Sequence, residues 1–440
     1  MSLRTTLAAA AVVLAATVTG TALTRAEDAL YIPLLTYRTG PFASSGIPSA
    51  NGMHDYLEML NERDGGVGGV RLAIEECETG YDAQKGVECY ERTKVKGPLV
   101  YNPASTGITL QLIPKASVDH IPVLSMAYGL SAAAVGRTFP WIFNPPDTYW
   151  DGLSAMVAYI GEKEGGLDKL EGKKIGYLYL DAGYGREPLP LLDLLAAKFG
   201  FTTAKYPVDP KQMQDQSAQW LNVRRDRPDW VLMWGWGAMN PTAIKEAAKV
   251  RFPMDRFIGN WWAAGDDDAR PAGEGGKGYL SLGFTAAGTD FPAVQDILKY
   301  VVDRGKSQVH QRSEVGENLY NRSVVNAALV AEAVATAQRL TGKKVIDAAD
   351  MRRGLENLDL SEARLKELGL SGMTHPIRVS CDDHSGAHEV YMQAWDGTRW
   401  QTASGWFAPM RDLVRPMLEQ AAQDYVKANQ PFPTRAEPCS

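Results

Sequence analysis

Apolar positions follow two alternating patterns along the chain. Runs of strand length at 29–36, 70–75, 98–101 and 122–126 alternate with stretches in which apolar residues recur every three or four positions. Ile47, Ala50, Met53, Leu57 and Leu60 show that helical recurrence, and 83–96 and 107–118 read as further helices. The alternation restarts after Trp141, with helices at 148–164, 186–199, 215–225 and 241–250. The strands between them fall at 174–180, 202–208, 230–233 and 256–259. Strands separated by helices of this length predict parallel sheets built from βαβ units. Two such series predict an α/β fold of two Rossmann-like lobes.

From 279 the order changes. A strand at 279–284 precedes helices at 292–304, 317–340 and 347–355. The end reads as strands at 377–380 and 390–394, with a turn at Asp396-Gly397. In open parallel sheets the loops after the strand ends form the ligand crevice. Those loops are 37–46, 102–107 and 125–129 in the first series, and 181–185, 234–237 and 260–262 in the second.

The first 26 residues differ from the rest. One Arg precedes an apolar run over 7–18, and Thr24-Arg25-Ala26 places small residues before a cleavage point. This is the pattern of a secretory signal peptide, the run being too short for a membrane span. The chain is therefore expected to be exported, starting at Glu27. Cleavage removes Arg4 and Arg25 and no acid, taking the net charge from −6 to −8. An acidic balance excludes the basic footprint of a nucleic-acid partner.

Export changes how the four cysteines read, since an oxidising compartment favours disulfides. Four cysteines allow three pairings. Local pairing of Cys77 with Cys89 leaves Cys381 to tether the C-terminal tail through Cys439; free thiols are the alternative. The densest cluster of potential metal ligands is Asp382-Asp383-His384-Ser385-Gly386-Ala387-His388-Glu389. Its Asp, Ser and Gly are turn formers between two strand-like segments, so it is read as a turn and not a metal site. There is no nucleophile elbow, phosphate loop or His–Glu zinc motif. No enzyme activity, cofactor or metal is expected.

Several motifs fall in a telling order. Thr39-Gly40-Pro41, Ala43 and Gly46 resemble the opening S-G-P-x-A-x-x-G of periplasmic solute-binding proteins of the Leu/Ile/Val-binding type. Tyr81-Asp82 before a helix resembles that family's Y-D-D segment, Tyr184-Gly185 its ligand tyrosine, and Asp396-Gly397 its last hairpin. The resemblance spans the mature chain. It implies a type I periplasmic binding fold, with a multi-stranded hinge joining lobes of 27–145 plus 279–372 and of 146–278 plus 373–440. It also implies a monomer that closes on a small molecule and hands it to an inner-membrane ABC permease. A ligand-sensing module for a receptor shares these features, and a secreted hydrolase is a more distant alternative.

The family holds a ligand carboxylate with backbone N–H groups and hydroxyls at helix N-termini, where the helix carries partial positive charge. Ser105 and Thr106, with the N–H of Gly107, match that role here; the plain alternative is an N-cap. Ser125 and Ala127 lie on the matching second loop, although the family's Thr falls on Gly129. Tyr184 would cover the ligand from the other lobe, and Trp234 and Trp236 flank Gly235 beside it. Arg38 would fork onto a carboxylate or form a salt bridge at the lobe interface. Where the family has a Glu for an amino-acid ammonium, this chain has Trp261. Burying an ammonium without an anion is costly, so the expected ligand is a carboxylate without a free α-amine, such as an aromatic or medium-chain acid, with an amino acid as the alternative.

Overall fold

The computed structural model describes residues 29–386 and 389–439. The expected signal segment and His388 lie outside them. The first sheet contains β1 (Leu30–Thr36), β2 (Leu72–Glu78), β3 (Val123–Leu124) and β4 (Ile142–Phe143). β1 pairs with β2 and β3 with β4, all parallel; single bridges at Tyr101 and Asn102 join the two pairs. The strand expected at 98–101 is thus reduced to isolated bridges. β1 is a central strand, so its apolar run is buried on both faces. β2 is an edge and carries Glu75, Glu76 and Glu78.

The second sheet has seven strands. β5 (Lys174–Leu180), β6 (Thr202–Val208), β7 (Trp230–Trp234), β8 (Phe257–Gly259) and β9 (Leu280–Gly283) run parallel. Central β7 is buried throughout, whereas edge strand β6 alternates and tolerates Pro207. A two-stranded antiparallel pair of β10 (Asp359–Leu360) and β11 (Ile377–Arg378) lies apart. β12 (Tyr391–Trp395) pairs antiparallel with β9, and β13 (Trp400–Thr402) closes the edge.

Two strands fall outside the lobe boundaries expected from the sequence. β9 hydrogen-bonds to β8, so the chain leaves the second sheet after Gly283 and not before 279. β11 pairs with β10, and His384 accepts from the Asn144 N–H, so the return to the second sheet comes later than 373. The helix Asn318–Thr341 is buried almost all round and packs along the helix Ala43–Asp64. Gly52 permits that approach, because a Cβ there would sit 2.2 Å from the Tyr320 carbonyl oxygen.

A helix at Arg411–Ala428, which the strand-like reading of the C-terminus missed, packs on residues 131–134 and on the helix Tyr149–Glu164. Both expected disulfides are present: Cys77–Cys89 and Cys381–Cys439, with Cα separations of 5.9 and 5.5 Å. His384 stacks on Phe143 with ring centroids 4.0 Å apart, and its Nδ1 lies 2.7 Å from the Ile142 carbonyl oxygen. Burial pushes its pKa down to about 3. It is a neutral core residue, and no group of three potential metal ligands assembles among the described residues.

Candidate functional site

The loops after β1, β3, β5, β7 and β8 converge on one cavity between the two sheets. Its free volume is about 60 Å³, well below the roughly 300–1,000 Å³ of an open small-molecule pocket. The lobes are therefore closed upon it. Contacts from one side to the other show the same: the Ala238 N–H donates to the Pro41 carbonyl at 3.2 Å. The indoles of Trp261 and Trp262 both donate to the Ala127 carbonyl at 3.1 Å. The Ser131 N–H donates to Glu187 Oε1 at 2.8 Å.

One wall is the N-terminus of the helix Thr106–Asp119. Ser105 is its N-cap and accepts from the Ile108 N–H, which leaves the N–H groups of Thr106 and Gly107 without intrahelical acceptors. Thr106 Oγ1 lies 3.1 Å from the Tyr149 hydroxyl across the cavity mouth and accepts from the Gly129 N–H at 3.3 Å. Tyr128 accepts from the Ala104 N–H and donates to Asn102 Oδ1, which fixes that loop. Asn102 Nδ2 is buried without a hydrogen-bond partner, as is Asn326 Oδ1 on the opposite helix.

The other walls are aromatic and sulfur-rich: Tyr37, Tyr81, Tyr149, Tyr184, Trp236 and Trp262, with Met53 and Met126. Trp262 stands edge-on to Trp236 and Tyr128, with centroids at 5.6 and 5.8 Å. Burial pushes the Tyr37, Tyr149 and Tyr184 phenols well above their ordinary values, so they remain neutral donors. The lining contains no Asp, Glu, Lys, Arg or His. It offers hydroxyls, amides and a helix N-terminus to an anion, and no carboxylate to an ammonium.

Of the residues singled out in the sequence, Ser105, Thr106, Tyr184 and Trp236 line this cavity. The Tyr184 hydroxyl donates to the Gly235 carbonyl at 3.0 Å and accepts from Asn260 Nδ2 at 2.9 Å, so the ring is held in place. The other five do not line it. Arg38 forks onto both oxygens of Glu76 on β2 at 2.8 Å and donates to Asn51, all within its own lobe. Ser125 bonds the Phe143 carbonyl through both its N–H and its hydroxyl. The Ala127 N–H is engaged by the Pro145 carbonyl. Trp234 ends β7 and packs on Tyr149 and Tyr177.

Trp261 is fully buried over the helix Tyr149–Glu164, where Gly152 leaves room for it. A Cβ on Gly152 would lie 2.4 Å from the indole. Its neighbour Trp262 reaches the cavity instead. Sequence reasoning also missed Tyr149, Ser323 and Asn326, which project from helices and not from loops after strands. The signal for the last two was present: they are polar positions three apart on a helix whose other residues are mostly apolar.

Residues 29–399 match the family model described as periplasmic binding protein. The chain belongs to the periplasmic binding protein family. A solved structure from the Pseudomonas fluorescens group, described as an ABC transporter permease, is 41% identical. The alignment covers 93% of this chain and 100% of that one at a TM-score of 0.86. A Thermus thermophilus branched-chain amino acid ABC transporter protein with bound valine is 18% identical, with 87% and 98% coverage and a TM-score of 0.74. An R. palustris solute-binding protein in complex with benzoate is 16% identical, with 87% and 97% coverage and a TM-score of 0.65. No curated protein sequence matches the chain. The two-lobed arrangement is thus that of type I periplasmic binding proteins, the substrate-binding components of ABC importers. No described helix is long and apolar enough to cross a membrane.

Proposed function

We propose that the protein binds a compact carboxylic acid without a free α-amine, aromatic or branched, and presents it to an inner-membrane ABC permease. One observation carries the ligand class: a cavity closed by a helix N-terminus and aromatic rings has no acidic side chain in its lining. The Thr106 and Gly107 N–H groups, the Thr106 hydroxyl and Asn102 Nδ2 would hold the carboxylate. Tyr81, Tyr184, Trp236 and Trp262 would sandwich the apolar body. A zwitterion would bury its ammonium without a counter-charge. The small closed volume favours a ring or short branched chain over a long one. Benzoate bound to the R. palustris protein of the same fold is of that class.

Residues 1–26, read as an export signal, support a periplasmic location, and membership of the binding-protein family supports a role for the protein in binding and not in catalysis. Its two lobes would meet at the hinge and open to exchange ligand. A thermal-shift panel of benzoate, 4-hydroxybenzoate, isovalerate, leucine, valine and benzamide tests the ligand class. The acids are expected to stabilise the protein. Stabilisation by leucine or valine with none by the acids would refute the reading.

A further inference from the structure

Arg322 lies in the second turn of the helix Asn318–Thr341 and is fully buried. Its Nε donates to Thr285 Oγ1 at 3.3 Å, its Nη2 to Asn318 Oδ1 at 2.8 Å, and its Nη1 to the Trp261 carbonyl. All three acceptors are neutral. The guanidinium sits over the rings of Phe284 and Trp262, 4.8 and 5.4 Å from their centroids. Among the described residues no carboxylate comes within ion-pair distance of it. Other buried acids are held elsewhere: Asp268 by Asn240 and the Gly265 N–H, Asp55 by Tyr320 and Ser307.

A buried cation without an anion is rare, because desolvation is normally offset by a partner charge. Arg322 keeps its proton all the same: burial brings its pKa down only to about 10. Its position relative to the cavity is specific. Ser323 is the next residue and Asn326 the next turn, and both line the cavity, as does Trp262. The charge therefore stands one side-chain layer behind the place where a ligand would lie. Arg322 is enclosed by buried side chains, so the local dielectric is low and the field is strong.

We propose that Arg322 sets the charge of the ligand: the bound acid is the missing counter-ion, sensed through Trp262 without direct contact. The inference rests on the carboxylate reading above and deepens it. The lining alone would accept an amide nearly as well as an acid, since its hydroxyls and N–H groups serve either. Arg322 makes the preference for an anion. It is a positioning and selectivity residue, and the side chains that would touch the ligand are others.

The test uses the full mature chain with benzoate, 4-hydroxybenzoate and isovalerate as probes, each beside its neutral amide. Calorimetry gives Kd, and thermal unfolding of the unliganded protein shows that each variant is folded. Arg322→Met keeps the stem but removes the cation, and Arg322→Lys keeps the cation but not the fork. R322M is expected to weaken acid binding by about tenfold or more, the factor for a charge at this remove, while leaving amide binding within about twofold. R322K should recover most of the acid-over-amide preference. R322M also removes the donors to the Thr285 hydroxyl, the Asn318 side chain and the Trp261 carbonyl, which opposes the gain from losing the charge, so the acid-to-amide ratio and not the unfolding temperature reads the proposal.

Equal losses for acid and amide in R322M would show a purely structural role and overturn the inference alone. So would R322K behaving like R322M, or unchanged acid binding in R322M. If R322M fails to fold, R322K decides: loss of the acid preference with charge retained overturns the inference. A parent chain that binds none of the acids overturns the carboxylate reading and this inference with it.

Discussion

The Glu187–Ser131 contact makes closure depend on pH. Glu187 follows a short helix in the second lobe, and Ser131 belongs to the first. The Ser131 N–H donates to Glu187 Oε1 at 2.8 Å, and Oε2 is buried with no hydrogen-bond partner. Burial is the main cause that raises the Glu187 pKa from 4.5 to about 7. Each pKa unit is about 1.4 kcal/mol, so ionised Glu187 opposes the closed arrangement by about 3 kcal/mol relative to the protonated form. Opening separates Glu187 from Ser131 and returns its carboxyl towards water and its ordinary value. The closed form, with the raised pKa, therefore binds the proton more tightly. Closure is favoured at low pH and is lost as pH rises through about 7.

With a closed-state value near 7 and an open-state value near 4.5, affinity for a carboxylate should fall about tenfold between pH 6 and pH 8. Such a ligand stays ionised throughout that range. Glu187→Gln keeps the acceptor for Ser131 and mimics the protonated acid, so its affinity should be flat over the same range. Calorimetric titration of both chains with benzoate at pH 6, 7 and 8 reads this directly. A variant whose profile runs parallel to that of the parent chain would refute the coupling.

Other consequences follow from packing and cross-links. Gly152→Ala drives a methyl to 2.4 Å from the Trp261 ring, and urea unfolding should show a loss of about 1–3 kcal/mol, with weakened ligand binding. Replacing both Cys381 and Cys439 by Ser opens a bridge between residues 58 apart, against 12 for Cys77–Cys89. Loop entropy gives about 4 and about 3 kcal/mol respectively, so denaturant midpoints should drop more for the first pair. His384, held near 3 by burial against an ordinary 6.5, contributes stability in full above pH 6.5 and loses it as pH falls towards 3. In His384→Gln the slope of unfolding free energy over that window should shrink.

The alternation of strands and helices was legible because parallel sheets bury central strands on both faces. The runs at β1, β5 and β7 announce themselves as uninterrupted apolar stretches. The helix Arg411–Ala428 was not read, although Val414, Leu418 and Ala422 recur every four residues on its buried side. Pro416 lies inside it, and a proline commonly marks a helix end. The lobe boundaries were displaced because strand identity in the sequence does not say which sheet a strand joins: β9 reads like any other strand until it pairs with β8. Loop position located the cavity, since the loops after five strands do converge there. It did not resolve which of two adjacent tryptophans faces inward.

That choice is made by a partner in another element. Gly152 admits Trp261 to the core, and Trp262 is left to line the site. Arg38 misled for a related reason. It borders the crevice in sequence, but Glu76 on the neighbouring strand captures its guanidinium. Likewise nothing local marks Arg322 as buried, because its surroundings are assembled from Thr285, Asn318, Phe284 and the 261–262 loop.

The claim at the centre of this account is that the cavity takes an anion and rejects a zwitterion of the same size. Isovalerate and valine share a branched apolar body and differ by the α-ammonium. Calorimetric titration of the mature chain with each, at pH 6 and low salt, is the most direct measurement. Saturable binding of isovalerate or benzoate with no detectable binding of valine is the predicted result. Valine binding as tightly as either acid, or more tightly, would contradict it.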